Sequence, residues 1–291
     1  SDTDTMKRAI EAVRQAIDEG VPGVLGIHLE GPYLNPDKRG IHDASRFCEL
    51  DEGAFELLTS LERGKTVVTL APELNPGEMI TRLSDQGVLV FGGHSAATYQ
   101  QTREALDAGM RGFTHLFNAM SPFTSREPGM VGAALEDRNS WFGIIADGRH
   151  VHPGAFAVAV AAKRRGYAML VSDAMATVGS DEKSFVFDGV EIGVADGSCR
   201  TSDGKLAGSD LDMLTASADS HRLDVWAAGE NVRAMEAAVS LQKRLLVLRV
   251  RRREPALLSE PARVHELQQG VALSGKVAPD LLPQSRYRLG R

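Results

Sequence analysis

Five apolar runs in this chain each end on a carboxylate or an imidazole, and that repetition limits the possible folds more than any other feature. Residues 24–29 run into Glu30 and are then stopped by Gly31 and Pro32. Residues 88–91 lead to His94, 112–114 to His115, 142–146 to Asp147, and 168–171 to Asp173. Strands buried on both faces of a parallel sheet read as near-continuous apolar runs, and chemistry collects at their C-terminal ends. A (β/α) barrel gathers such residues around one mouth. A sixth run, 66–70, is stopped by Ala71, Pro72 and Glu73.

Between these runs the apolar spacing becomes helical. Ile10, Val13 and Ile17 mark a helix over 5–19 closed by Gly20, and further helices are expected over 51–61, 76–84, 97–108 and 153–165. Residues 121–132 read as one long loop. The alternation predicts an α/β protein with a parallel sheet. Six strands fall short of the eight of a closed barrel, so the expectation is an incomplete (β/α)8 barrel with its first two strands placed before Ser1. After Asp173 the rhythm changes: 184–187 and 190–192 around Asp188 and Gly189 predict a hairpin, and 206–209 lead into a helical start.

Composition narrows the function. A net charge of -6 argues against a nucleic-acid partner. No apolar run approaches the ~20 residues of a membrane span, so no membrane partner is expected. Cys48 and Cys199 cannot form a disulfide framework, which fits a reducing cytoplasm. Of the 33 Lys+Arg and 39 Asp+Glu, 13 and 8 fall from Ser217 onward. The tail is therefore +5 and the first 216 residues are -11. The chain divides into a barrel domain, 1–216, and an atypical basic tail, 217–291, with the cluster Arg251, Arg252, Arg253. A reading-frame shift in the coding DNA would produce such a tail. Sequence of that kind has no selected core pattern, so a poorly soluble or inactive chain with protease-sensitive bonds after Thr215 is expected.

Glu30, His94 and His115 stand at three strand ends. Two imidazoles and one carboxylate hold Zn²⁺ or a similar ion with a coordination position left open, as catalysis requires. Asp173 could move a proton to and from water, or cap the segment that follows it. His150 and His152 form an H-x-H pair beyond the strand proper; His150 reads as a site residue and His152 as structural. Arg126, in the loop after His115, is either a surface charge or a phosphate ligand. No dinucleotide or P-loop glycine pattern is present.

Taken together, His28-Leu-Glu30-Gly-Pro, Gly93-His94-Ser, Thr114-His115-Leu-Phe-Asn118-Ala119-Met, Asp147-Gly-x-His150, Ser172-Asp173-Ala-Met and Leu206-Ala-Gly-Ser resemble the N-acetylglucosamine-6-phosphate deacetylases of the amidohydrolase superfamily. The likeness runs from about Gly20 to Met213 with every motif in order. It implies a TIM barrel with a small β-sandwich built from both chain ends, largely missing here. It also implies one catalytic divalent metal (Zn²⁺ first, Fe²⁺ second), an amino-sugar phosphate substrate and a cytoplasmic homo-oligomer, dimer or tetramer. Glu30, His94 and His115 match the metal ligands, and Asp173 the catalytic acid and base. His42 matches a residue that helps polarise the acetamido carbonyl, and His150 a substrate contact. Asn118 and Ala119 match a phosphate cradle, and Arg126 an arginine that reaches a neighbouring subunit's phosphate. Leu206, Ala207 and Gly208 match the lining of the acetyl pocket.

Two other readings stay open on the residues: another amidohydrolase, such as a cyclic amidase or deaminase, or an inactive truncated barrel that binds metal or sugar phosphate. The first generally needs an H-x-H pair on its first strand, which this chain does not contain.

Overall fold

The computed structural model describes residues 2–163, 167–187 and 189–216, together with the backbone of 246–249. Helix α1 (Thr3–Asp18) opens the chain, and Asp2 caps it by accepting from the Thr5 amide at 2.8 Å. Its apolar stripe, Met6, Ile10 and Val13, is buried in the same core as Ile27 of the first strand. Each such aliphatic side chain contributes about 1.5–3 kcal/mol when fully buried.

Six parallel strands follow in sequence and in space: β1 (Val24–Glu30), β2 (Lys65–Leu70), β3 (Leu89–Gly92), β4 (Gly112–Phe113), β5 (Trp141–Ile144) and β6 (Ala168–Leu170). They curl into an incomplete barrel, as the six apolar runs predict. The helices between them are α2 (Glu52–Thr59), α3 (Gly77–Asp85), α4 (Tyr99–Asp107), α5 (Gly129–Glu136) and α6 (Pro153–Ala162). Register sets the height of each strand end: Glu30 pairs with Thr69, Leu70 with Gly92, and Gly92 with Phe113. His94 and His115 each follow two residues beyond that last pair, and so they emerge side by side.

Helix α5 corrects the expectation of one loop over 121–132. Its two glycines suggest a turn in sequence, but Gly132 serves packing: a Cβ there would lie 2.3 Å from Pro128 Cβ. The helix is buried through Ala134, so tertiary contact outweighs weak local propensity.

The second sheet is larger than the single hairpin expected. It is antiparallel, in the order β10-β9-β8-β7, with β7 (Ser184–Phe187), β8 (Val190–Ala195), β9 (Ser198–Thr201) and β10 (Leu206–Ser209). From the tail, only β11 (Leu246–Arg249) is described; it pairs parallel with the free edge of β1. The expectations for the rest of 217–291 lie outside the described residues.

At the opposite end of the sheet from the strand C-termini, Lys163 is 3% exposed and donates to Ser140 O at 3.0 Å, Ser140 Oγ at 3.2 Å and Asp137 O. Burial pushes its pKa down to about 8, opposed by Asp137 and Glu136. Between that value and the ordinary lysine range, the unfolded chain holds a proton that the folded chain has lost. This group therefore makes stability rise with pH from about 8 upward. Urea midpoints at pH 7.5 and about 10 will show this rise in the wild type relative to Lys163→Met; parallel pH profiles for the two proteins would refute it.

Candidate functional site

Three side chains predicted from separate strand ends meet at one point. Glu30 Oε1 lies 3.1 Å from His94 Nε2 and 2.8 Å from His115 Nε2, and the two imidazole nitrogens are 3.1 Å apart. All three side chains are buried, at 3, 6 and 4% exposure. His94 Nδ1 lies 2.7 Å from Lys38 O. A carbonyl only accepts, so Nδ1 carries the proton, and Nε2, the acceptor of that tautomer, faces the Glu30 carboxylate. Acceptor facing acceptor in a buried site calls for a cation or a proton between them.

His42 joins this cluster, which its expected role at a carbonyl did not require. Its Nε2 is 3.7 Å from Glu30 Oε2, and its ring centre is 4.7 Å from that of His94. One ligand atom from each of Glu30, His42 and His94 fits within 4.8 Å, a group that could hold a metal ion. Nitrogen and carboxylate donors of this kind suit Zn²⁺ or Fe²⁺, so the residues present fit such an ion. Beneath the cluster, inside the barrel, His28 Nε2 meets Thr69 Oγ1 at 2.7 Å and Thr69 meets Thr114 Oγ1 at 2.6 Å. Only the alternation of β1, which puts His28 and Glu30 on one face, hinted at this polar layer.

The strand ends carry unusual backbone. His94, His115 and Asp173 have φ of +49°, +36° and +51°. Left-handed non-glycine residues persist where the surroundings over-determine them, and they cluster at functional sites. For Asp173 the surroundings are β10. Ser209 donates its amide to Asp173 O at 2.9 Å and accepts from the Met175 amide at 2.9 Å, while its hydroxyl donates to Ser172 O. The segment 206–208 thus lies beside Asp173, with Ala207 buried.

Gly208 makes this approach possible. Its φ is +86°, and a Cβ would stand 2.6 Å from Met175 Cγ and 3.1 Å from Asp173 O. Gly208→Ala should cost about 1–3 kcal/mol from backbone strain and overpacking. A lower urea midpoint and faster amide exchange at Ser209 will report it, and an unchanged midpoint would contradict it.

The remaining predicted residues divide into two groups. His150 is held by Asp147: Nδ1 lies 2.6 Å from Asp147 Oδ2, and the His150 amide donates to Oδ1 at 2.8 Å. Burial pushes the Asp147 pKa up, but hydrogen bonds from His150 and the Arg149 amide outweigh it and leave the carboxyl below its usual range. Asn118 turns its amide back to His115 O and Leu116 O, both at 3.3 Å, and Ala119 has a φ of +52°. Arg126 is exposed on the loop before α5. His152 is no part of the cluster: its Nδ1 accepts from the Gly154 amide at 3.1 Å and caps α6.

No protein-family model matches the chain. Among curated proteins it is similar to the N-acetylgalactosamine-6-phosphate deacetylase of Shewanella sp. (strain ANA-3), with 44% identity over 215 residues, 74% of this chain and 55% of the relative. The N-acetylglucosamine-6-phosphate deacetylase of Vibrio furnissii is 36% identical over 222 residues, 75% and 55% of the two chains. Among solved structures, the N-acetylglucosamine-6-phosphate deacetylase of Pasteurella multocida superposes with a TM-score of 0.76 at 32% identity, covering 85% of this chain and 64% of its own. A Mycobacterium smegmatis enzyme of the same name, in complex with N-acetyl-D-glucosamine-6-phosphate, gives 0.74 at 31% identity, covering 85% and 66%. The chain spans about half the length of the curated relatives it matches.

Proposed function

Starting from homology to the N-acetylhexosamine-6-phosphate deacetylases over 215 residues, and from a shared fold, we propose that this site hydrolyses the acetamido group of N-acetylglucosamine 6-phosphate to glucosamine 6-phosphate and acetate. The observation that carries the reading is the meeting of Glu30, His94 and His115 within 3.1 Å at the C-terminal ends of parallel strands. We assign these three as ligands of one divalent ion, Zn²⁺ before Fe²⁺. Such an ion supplies Lewis-acid polarisation of an amide carbonyl and lowers the pKa of water to about 7.

The chain's own residues do the rest. Asp173 accepts a proton from the attacking water and returns it to the nitrogen of the departing sugar amine. His42 stabilises negative charge as it builds on the carbonyl oxygen. Asn118, Ala119 and His150 hold the sugar phosphate, and Leu206, Ala207 and Gly208 line the acetyl end. Arg126 and Phe123, the latter 62% exposed, lie on one loop. We assign that loop to a homo-oligomer contact in which Arg126 reaches the neighbour's phosphate. No described helix is long and apolar enough to cross a membrane, and two free cysteines fit the cytoplasm.

A second reading, the galacto epimer, is favoured by the 44 and 42% identity of two relatives named for it. Incubation with Zn²⁺ and each 6-phosphate separates the readings by kcat/KM. Acetate is the expected product, with strong preference for the phosphorylated over the neutral sugar. Ammonia release would mark a deaminase, and bound metal without acetate an inactive barrel.

A further inference from the structure

We infer that Glu73 is the positioning residue of the metal-donor cluster, holding His94 in place through the loops on both sides of it; the inference rests on the Glu30, His94 and His115 site proposed above. Of β1 to β4, only β2 ends without sending a side chain into that cluster. Its last turn, Pro72–Leu74, carries Glu73 instead. Glu73 Oε1 accepts from Asn35 Nδ2 at 2.9 Å and from the Ala96 amide at 2.6 Å, while Oε2 accepts from Ser95 Oγ at 2.6 Å.

Each bond leads to a ligand. The Asn35 amide donates to His94 O at 3.0 Å. Asn35 Oδ1 accepts from the Asp37 amide at 2.8 Å and so caps the turn Pro36–Lys38. That turn delivers Lys38 O to His94 Nδ1 at 2.7 Å, the contact that sets the tautomer. On the other side, the Ser95 amide donates to Ala119 O at 3.0 Å, and Ser95 bridges Met120, in the loop that follows His115. Ser95 is fully buried and Asn35 nearly so, at 0 and 9% exposure. One carboxylate thus ties together the loops after β1, β3 and β4. It brackets His94, whose left-handed backbone needs support from both sides. A carboxylate side chain suits the place because its two oxygens have room for three donors.

The test is the Zn²⁺ affinity of the full 291-residue chain, measured by competition with a chromophoric chelator, alongside urea unfolding of the apo-protein. Loss of an outer partner of a metal ligand typically weakens binding about 10–100-fold. Glu73→Ala should fall in that range. Glu73→Gln should lie between it and the wild type, because one oxygen still serves Asn35 and Ala96. Lower apo stability with Zn²⁺ affinity unchanged would make Glu73 a loop staple and overturn the inference. His115→Ala is the control: if it loses the ion while Glu73→Ala keeps wild-type affinity, only the role of Glu73 falls. If His115→Ala keeps the ion, the set Glu30, His94 and His115 is not what holds it, and both readings, which rest on that set, fall. Should Glu73→Ala fail to fold, Asn35→Ala and Ser95→Ala each remove one bond to Glu73, the first together with the cap on the Asp37 amide and the second with the acceptor of the Ala97 amide. Weaker Zn²⁺ binding in both supports the role, and unchanged binding in both overturns it.

Discussion

Replacing His115 by alanine will strip the chain of its divalent ion, from about one per folded molecule to a small fraction of that. The imidazole approaches both Glu30 and His94 within 3.1 Å, and its loss leaves two of the three assigned ligands, with His42, 3.7 Å from Glu30 Oε2, as the remaining donor beside them. His152→Ala is the matched comparison. That histidine caps α6, so its removal should cost about 1 kcal/mol of helix stability and leave the metal in place. Elemental analysis of the two purified variants decides between them. Metal lost from His152→Ala and kept by His115→Ala would move the site to the H-x-H pair.

The second large effect concerns proton transfer. Asp173→Asn should keep the metal and lose about 10²–10⁴ in the rate of acetate release, the range a positioned acid or base contributes. Folding should survive the change. The clamp from Ser209 acts on the main chain of Asp173, and asparagine is among the residues that best tolerate its φ of +51°. Turnover at the wild-type rate would remove Asp173 from the chemistry.

The parts of the site that proved legible were those written as local signals. A buried parallel strand is an uninterrupted apolar run, so the position of the polar residue that ends it can be counted along the chain. Glu30, His94 and His115 could be picked out in that way before any distance was known. Helix α5 was not legible, because Gly129 and Gly132 are poor helix formers and only tertiary contacts explain them: a Cβ would meet Pro122 O and Ser121 O at Gly129, and Pro128 and Phe123 at Gly132. Nor was β9. It is a short strand whose partners lie on either side within the small sheet, and its segment carries no long apolar run.

Sequence alone determined the order and kind of the elements, six parallel strands with helices between them, and the residue types available at each strand end. Those follow from hydrophobic periodicity and from where the runs stop, which are properties of short segments. Tertiary structure decided which of those residues meet. Register lifts His94 and His115 to one height beside Glu30, and Lys38 O selects the tautomer of His94 from 56 residues away. Glu73, which reads as a strand stop, becomes a hub only because Asn35, Ser95 and Ala96 converge on it. Hydrogen bonds between residues this far apart leave no periodic trace along the chain, since their geometry exists only once the sheet has curled.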